Sequence, residues 1–193
     1  MTCFKLFPTL VMQFSEFLKE SETTMILKQL LYYQEQGRLT SHESVTDDGF
    51  SSHHPDGNDE LIQHFRLGGR IQEKLDEYSN EVGIDKVRIT NSWFNFQNVG
   101  SQLKLHHHAG SKLSAALYIN VDENSSKLFF ENPNHLAVFN YYTEHNQSEY
   151  NHEWFSFQPK KGDLYIFPSW LRHGSLYQKN NTPNRAVISL NTK

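Results

Sequence analysis

The strongest constraint on the fold of this chain is a change of texture at Val87. From there onward, short runs rich in β-branched and aromatic residues recur between turn sequences. The runs are Val87–Gln97, Leu103–His106, Lys112–Val121, Lys127–Glu131, Leu136–Phe139, Glu153–Gln158, Asp163–Phe167 and Arg185–Asn191. Asp122-Glu-Asn-Ser-Ser126 and Pro159-Lys-Lys-Gly162 supply turn chemistry between them. Short strands at this spacing predict a sandwich or jelly roll, which leaves few open strand edges.

Upstream of Val87 the periodicity is helical. Ser21 is the expected N-cap of a first helix with Thr24, Leu27, Leu30 and Leu31 on one stripe, running to Gln36 and stopped by Gly37. A second helix is expected over about 58–82, with Leu61, Ile62, Phe65, Ile71, Leu75 and Tyr78 on one face. Gly68-Gly69 weakens its centre and is a site for a kink or break, and Gly83 is its stop. A short strand is expected around Phe4–Phe7, before Pro8. Residues 38–58 are polar, contain Gly49, Pro55 and Gly57, and read as a long loop of the kind that serves as a lid. Neither helix carries a ligand pattern, so both should pack against the back of a sheet. The predicted class is α+β, mainly β: a double-stranded β-helix (jelly roll) with N-terminal helices packed on one sheet. It is one domain over 1–193, helical over about 1–86 and jelly roll over about 87–193.

A chain of 193 residues can bury a sizeable core without covalent staples. Its hydrophobic fraction of 37% is modest, but 13% aromatic residues compensate because each buries a large area. A net charge of −4 without a basic stripe argues against a nucleic-acid partner. The single Cys3 excludes an intrachain disulfide and a cysteine zinc site. No apolar run reaches the ~20 residues of a membrane span, and Met1–Pro8 lacks a secretory layout. These features predict a cytoplasmic protein without a membrane partner. The exposed-looking pair Tyr141-Tyr142 is a candidate seat for a partner, a second copy in a homodimer included.

The chemistry concentrates in Gln102-Leu-Lys-Leu-His-His-His108. On a strand, His106 and His108 share one face and His107 points away. Two imidazoles at i and i+2 make half of a metal site suited to Fe, Zn, Cu or Ni. His173, delivered by the turn Pro168-Ser-Trp-Leu-Arg-His173, is the candidate third ligand. A carboxylate such as Glu131 or Asp122 is the alternative to His108, which would then lie behind the ligands. In the last run Arg185, Val187, Ser189 and Asn191 share a face, with Ala186, Ile188 and Leu190 on the other. An arginine facing the inside of a barrel requires an anion, and a carboxylate held bidentately is the natural one. Ile89, Asn91, Trp93, Asn95 and Gln97 form another polar–aromatic face. From it Asn95, and from the neighbouring strand Tyr118, are candidates to hydrogen-bond a cosubstrate.

At these residues the chain resembles the 2-oxoglutarate- and Fe(II)-dependent oxygenase superfamily, most closely a subgroup of small members. The matching motifs are Trp93-Phe-Asn95, His106-His-His-Ala-Gly-Ser-Lys-Leu-Ser-Ala-Ala-Leu-Tyr118, Gly162-Asp-Leu-Tyr-Ile-Phe-Pro-Ser-Trp-Leu-Arg-His173 and Arg185-Ala-Val-Ile-Ser-Leu-Asn191. Leu6-Phe-Pro-Thr9 and Gly49-Phe-Ser51 are also similar, so the likeness spans nearly the whole chain. Ala109, Ala115 and Val187 depart from the subgroup's Pro, Gly and Ser. His108 stands where the wider superfamily carries Asp or Glu. The resemblance implies Fe(II) on His106, His108 and His173, with 2-oxoglutarate as cosubstrate and Arg185 on its distal carboxylate. Asn95, Tyr118, Ser189 and Asn191 would line the cosubstrate site. The implied reaction uses O₂ to couple oxidative decarboxylation of 2-oxoglutarate to hydroxylation of an unidentified small molecule or protein side chain.

Two other readings fit the same histidines. A cupin-type dioxygenase or isomerase, needing no 2-oxoglutarate, shares the barrel and the outline Gly100-x₅-His106-x-His108 and Gly162-x₅-Pro168-x₄-His173. It lacks the glutamate cupins carry shortly after the second histidine. A non-enzymatic jelly roll holding Zn needs only three nitrogen ligands. Arg185 separates the oxygenase from both.

Overall fold

Side-chain alternation along the strands sorts residues to the two faces of one large sheet, and each face builds its own core. The computed structural model describes residues 8–41, 49–53, 60–134, 152–175 and 178–193. In chain order its elements are β1 (Met12–Phe14), α1 (Glu20–Glu35), β2 (Thr40–Ser41), β3 (Gly49–Ser51), α2 (Glu60–His64), α3 (Gly68–Val82) and β4 (Ile89–Gln97). There follow β5 (Leu113–Asn120), β6 (Leu128–Glu131), β7 (Trp154–Phe157), β8 (Leu164–Pro168), β9 (His173–Gly174) and β10 (Arg185–Thr192). Seven strands form a sheet in the order β1-β8-β5-β10-β4-β3-β2, and three form a second sheet in the order β7-β6-β9. All pairings are antiparallel. Two antiparallel sheets facing each other, with helices on the outer face of the larger, are the expected double-stranded β-helix.

The outer core joins Ile26 and Leu30 of α1 and Ile71, Leu75 and Tyr78 of α3 to Phe94, Phe96, Leu117, Ile166, Ile188 and Leu190 of the large sheet. The inner core lies between the sheets and includes Tyr118, Phe130, Tyr165, Phe167 and Val187. β10 shows the sorting most clearly. Ala186, Ile188 and Leu190 enter the outer core, whereas Val187 enters the inner one. The period of two thus places Arg185 and Ser189 between the sheets.

Several expected boundaries move. Helix α1 begins at Glu20 rather than after Ser21, because the Glu22 carboxylate accepts the Lys19 N–H at 2.8 Å and caps the turn from inside. Its buried stripe is Thr23, Ile26 and Leu30; Thr24 is exposed. The second helix is two helices. The break falls at 65–67, where Arg66 adopts φ 55°, and Gly68 opens α3 instead of weakening its centre. Gly83 ends α3 with φ 71°, the left-handed stop expected of glycine. Ile89 leaves the face of Trp93 and Asn95 to pack on the outer core, because the ladder shifts register beside Asn191 and Thr192 and a bulge reverses side-chain direction. The 38–58 segment is not all loop: β2 and β3 lie within it, and β3 pairs with β4. Leu103–His106 forms isolated bridges at Leu103 and His106 rather than a strand. β1, not expected from the sequence, pairs with β8. The expected strands at Phe4–Phe7 and Leu136–Phe139, and Tyr141-Tyr142, lie outside the described residues. Among the described residues no helix is long and apolar enough to cross a membrane.

Candidate active site

Three imidazoles meet at one end of the space between the sheets. β9 pairs with β6 on one side, Phe130 opposite His173. On its other side His173 exchanges both backbone hydrogen bonds with His106, at 3.0 and 2.9 Å. Residues so paired carry neighbouring side chains on the same face, and the two ring centroids are 4.4 Å apart. Gly174 permits this approach, since a Cβ there would lie 2.8 Å from the carbonyl oxygens of both Leu103 and Lys104. His108 is held by its N–H donating to the Ser169 carbonyl at 2.9 Å, in the turn that precedes His173. Its ring lies 5.0 Å from that of His106 and 5.2 Å from that of His173. One nitrogen from each ring falls within 4.8 Å of the other two, the one such His, Cys or carboxylate group among the described residues.

The tautomers of two rings are set by the backbone. His106 Nδ1 lies 2.8 Å from the Lys104 carbonyl and His173 Nδ1 2.8 Å from the Leu171 carbonyl. Each Nδ1 therefore carries the proton and donates it, leaving Nε2 with a free lone pair. Burial, then the neighbouring His106, His53 and His107, push His108 down to about 3. Burial first, then His106 and His108, hold His173 well below its ordinary value. Neutral imidazoles with aligned lone pairs are metal ligands in waiting.

The histidines form one wall of a cavity of about 250 Å³ whose far end holds Arg185. Arg185 is 5% exposed. Its Nη1 donates to Gln97 Oε1, its Nη2 to the Ser126 carbonyl at 3.4 Å, and its Nε has no partner among the described residues. The guanidinium carbon lies 5.4 Å from the centre of the Tyr118 ring. No carboxylate lines this cavity among the described residues. A buried guanidinium with neutral partners alone is costly, and a dicarboxylate reaching from the histidines to Arg185 removes that cost. The residues present therefore fit a divalent metal at one end and 2-oxoglutarate between the two.

Residues 91–191, more than half of the chain, match the family described as "Putative 2OG-Fe(II) oxygenase". The chain belongs to this family. The oxygenase is an enzyme that works with Fe(II), 2-oxoglutarate and O₂. No curated protein matches its sequence significantly. Solved structures share its fold. A prolyl-4-hydroxylase from Pseudomonas putida has 15% identity and TM-score 0.60, covering 96% of this chain and 92% of that one. A prolyl hydroxylase from Trichoplax adhaerens, in complex with a hypoxia inducible factor peptide fragment, has 16% identity and TM-score 0.63, covering 94% and 82%. HygX from Streptomyces hygroscopicus, with nickel, 2-oxoglutarate and hygromycin B bound, has 11% identity and TM-score 0.59, covering 95% and 82%.

Within the oxygenase the sequence-derived candidates divide. Asn95, Tyr118, Arg185 and Ser189 line the cavity with the three histidines, and Asn95 Nδ2 lies 3.5 Å from Ser189 Oγ. Asn191 does not line it; its amide lies behind His108. His107 is exposed, as expected of the middle residue. The alternative ligands are engaged elsewhere. Glu131 pairs with Arg172 at 2.8 Å. Asp122 accepts from Thr182 Oγ1 and from the Asn124 N–H in its own turn. Sequence reasoning placed Gln97 on the right face but gave it no role, since its register partner Arg185 is distant in the chain. Lys127 and His53, which carried no sequence signal, also line the cavity, as does Ser51. The His53 ring meets Trp93 edge-on at 4.9 Å. A seven-stranded sheet bearing these contacts offered no local signal for them.

Proposed function

We propose that His106, His108 and His173 hold the Fe(II) of this oxygenase and that Arg185 anchors the distal carboxylate of 2-oxoglutarate. The observation that carries this reading is the buried Arg185, without an anionic partner among the described residues, sharing one cavity with three convergent neutral imidazoles. When bound, the metal supplies activation of O₂ and drives oxidative decarboxylation of 2-oxoglutarate coupled to substrate oxidation.

The chain's own residues supply position, charge and dryness. Gln97 orients the guanidinium from the adjacent strand, and Tyr118 lies against it. Burial pushes the Tyr118 hydroxyl up to about 12, so it stays protonated and available as a donor to the cosubstrate. Asn95 and Ser189, paired in the middle of the cavity, offer further polar contacts along its length. Phe167 and Val187 close the inner wall and exclude water. Three neutral ligands leave the metal's charge uncompensated by protein, so the two carboxylates of the cosubstrate provide the compensation. The substrate is a small molecule or a peptide side chain entering past Trp93 and His53. Crystallised proteins of this fold hold a peptide fragment in one case and hygromycin B in another.

The test is anaerobic titration of the Fe(II)-loaded protein with 2-oxoglutarate, read as the visible charge-transfer band of a chelated 2-oxo acid. We expect the band in the wild type and its loss in His106→Ala. In Arg185→Ala it should form only at higher 2-oxoglutarate. Absence of the band in protein holding stoichiometric iron would overturn the assignment.

A further inference from the structure

The three histidines are not supported alike. His106 and His173 each pass their Nδ1 proton to the carbonyl two residues earlier in the chain. His108 Nδ1 makes no such contact among the described residues; the carbonyl two residues before it, of His106, accepts the His173 N–H at 2.9 Å. What faces His108 Nδ1 instead is the side-chain amide of Asn191, 3.5 Å away on β10. Behind Asn191 lies a buried polar chain. Ser114 Oγ is 2.8 Å from Asn191 Oδ1 and 2.8 Å from Ser169 Oγ. Asn191, Ser114 and Ser169 are 8%, 1% and 0% exposed. Ser169 also accepts the His108 N–H on its carbonyl, so the chain returns to the residue it supports.

We infer that Asn191 is the positioning residue of the third metal ligand, accepting the His108 Nδ1 proton on its amide oxygen and so fixing Nε2 toward the cluster. This rests on the three-histidine reading of the site above. A half-turn of the Asn191 amide exchanges Oδ1 and Nδ2 without breaking a contact. Oδ1 then accepts from His108 Nδ1–H, Nδ2 donates to Ser114 Oγ, and Ser114 Oγ donates to Ser169 Oγ. All three imidazoles then share one tautomer, with Nε2 toward the metal. Hydrogen-bonded partners of this kind orient ligating histidines and raise their basicity. A neutral amide suits a neutral third ligand, since it accepts the proton without adding a charge to a buried site.

The probe is Co(II), bound in the wild type and in Asn191→Leu, Asn191→Asp and Ser114→Ala. Affinity is read by competition with a chromophoric chelator, and ligation by the hyperfine-shifted, exchangeable Nδ1–H proton resonances. The wild type should show three such protons. Asn191→Leu has similar volume and no acceptor, and should weaken Co(II) about 10- to 100-fold while the His108 proton is lost to fast exchange. Asn191→Asp keeps an acceptor and should retain all three protons with affinity equal to or above that of the wild type. Ser114→Ala, which frees the amide to turn, should weaken Co(II) several-fold, and thermal unfolding of each metal-free variant reports whether it folds. Three protected protons and unchanged affinity in Asn191→Leu would overturn the role. Loss in Asn191→Asp as large as in Asn191→Leu would overturn the amide-oxygen contact. If His106→Ala bound Co(II) as tightly as the wild type, the three-histidine site itself would fall, and this role with it.

Discussion

Arg185 and Gln97 are register partners across the β10–β4 ladder, and Arg185 Nη1 donates to Gln97 Oε1 while Arg185 Nε and Gln97 Nε2 have no partners among the described residues. The pair is half-finished. A guanidinium this deeply buried, held by a neutral amide and without an anionic partner among the described residues, is matched by an anion on the proposed cosubstrate.

Replacing Gln97 by Glu should supply that anion from within. The variant carboxylate would pair with Arg185, raising thermal stability and lowering 2-oxoglutarate affinity. Arg185→Ala should lower that affinity about 10- to 100-fold, the loss of a charge-assisted contact worth about 1.5–3 kcal/mol. Anaerobic titrations of both variants give the comparison. Unchanged affinity in Gln97→Glu would show that the cosubstrate does not reach this end of the cavity.

Metal affinity separates the candidate ligand sets. His108→Ala should cost more than the about 10- to 100-fold typical of losing an outer partner, and His106→Ala and His173→Ala should match it. Glu131→Ala and Asp122→Ala should bind metal as the wild type does, since their carboxylates are engaged with Arg172 and Thr182. A chelator competition assay on all five decides between three histidines and a carboxylate-containing set.

Acid should destabilise the metal-free protein before its carboxylates titrate. In the folded state burial holds His108 at about 3 and His173 well below its ordinary value, whereas unfolded histidine titrates near 6.5. Between these values the unfolded chain binds more protons than the folded one, so stability is full above about pH 6.5 and falls as pH drops. Glu22, Asp76 and Asp122 are held below their ordinary carboxylate values of 4.5, 3.8 and 3.8, so their contribution is lost only at lower pH. Thermal unfolding should therefore show a falling Tm between pH 6.5 and 5 that is shallower in His173→Gln.

Two glycines should respond oppositely to a methyl group. Gly174→Ala places a Cβ against two fixed carbonyl oxygens and should destabilise by about 1–3 kcal/mol, loosening the His106–His173 bridge and metal binding together. Gly69 in α3 has nothing within 4 Å of such a Cβ, so Gly69→Ala should stabilise by up to about 1 kcal/mol through helix propensity. Chemical denaturation of both variants tests the contrast.

The site was partly legible in the chain because strand periodicity is local. Alternation in Arg185–Thr192 alone predicted that Arg185 and Ser189 face away from Ile188, and they do. Alternation also put His106 and His108 together, although the segment forms isolated bridges rather than a strand. It misplaced Ile89, since a bulge is a property of the paired ladder and leaves no mark in the period of one strand. Gly68-Gly69 marked the neighbourhood of the helix break, but packing of Ile62 and Ile71 into the outer core decides that the chain turns at Arg66.

The sequence by itself determined which residues carry chemistry and which face of their strand they occupy, because side-chain direction follows from the backbone period. Only the tertiary structure decided which strands are neighbours. Pairing β10 with β4 and β5 joined Arg185 to Gln97 and set Asn191 behind His108. The antiparallel bridge of His106 to His173 closed the cluster. Those contacts join residues far apart in sequence, so they exist only once burial of the two cores has fixed the register between strands.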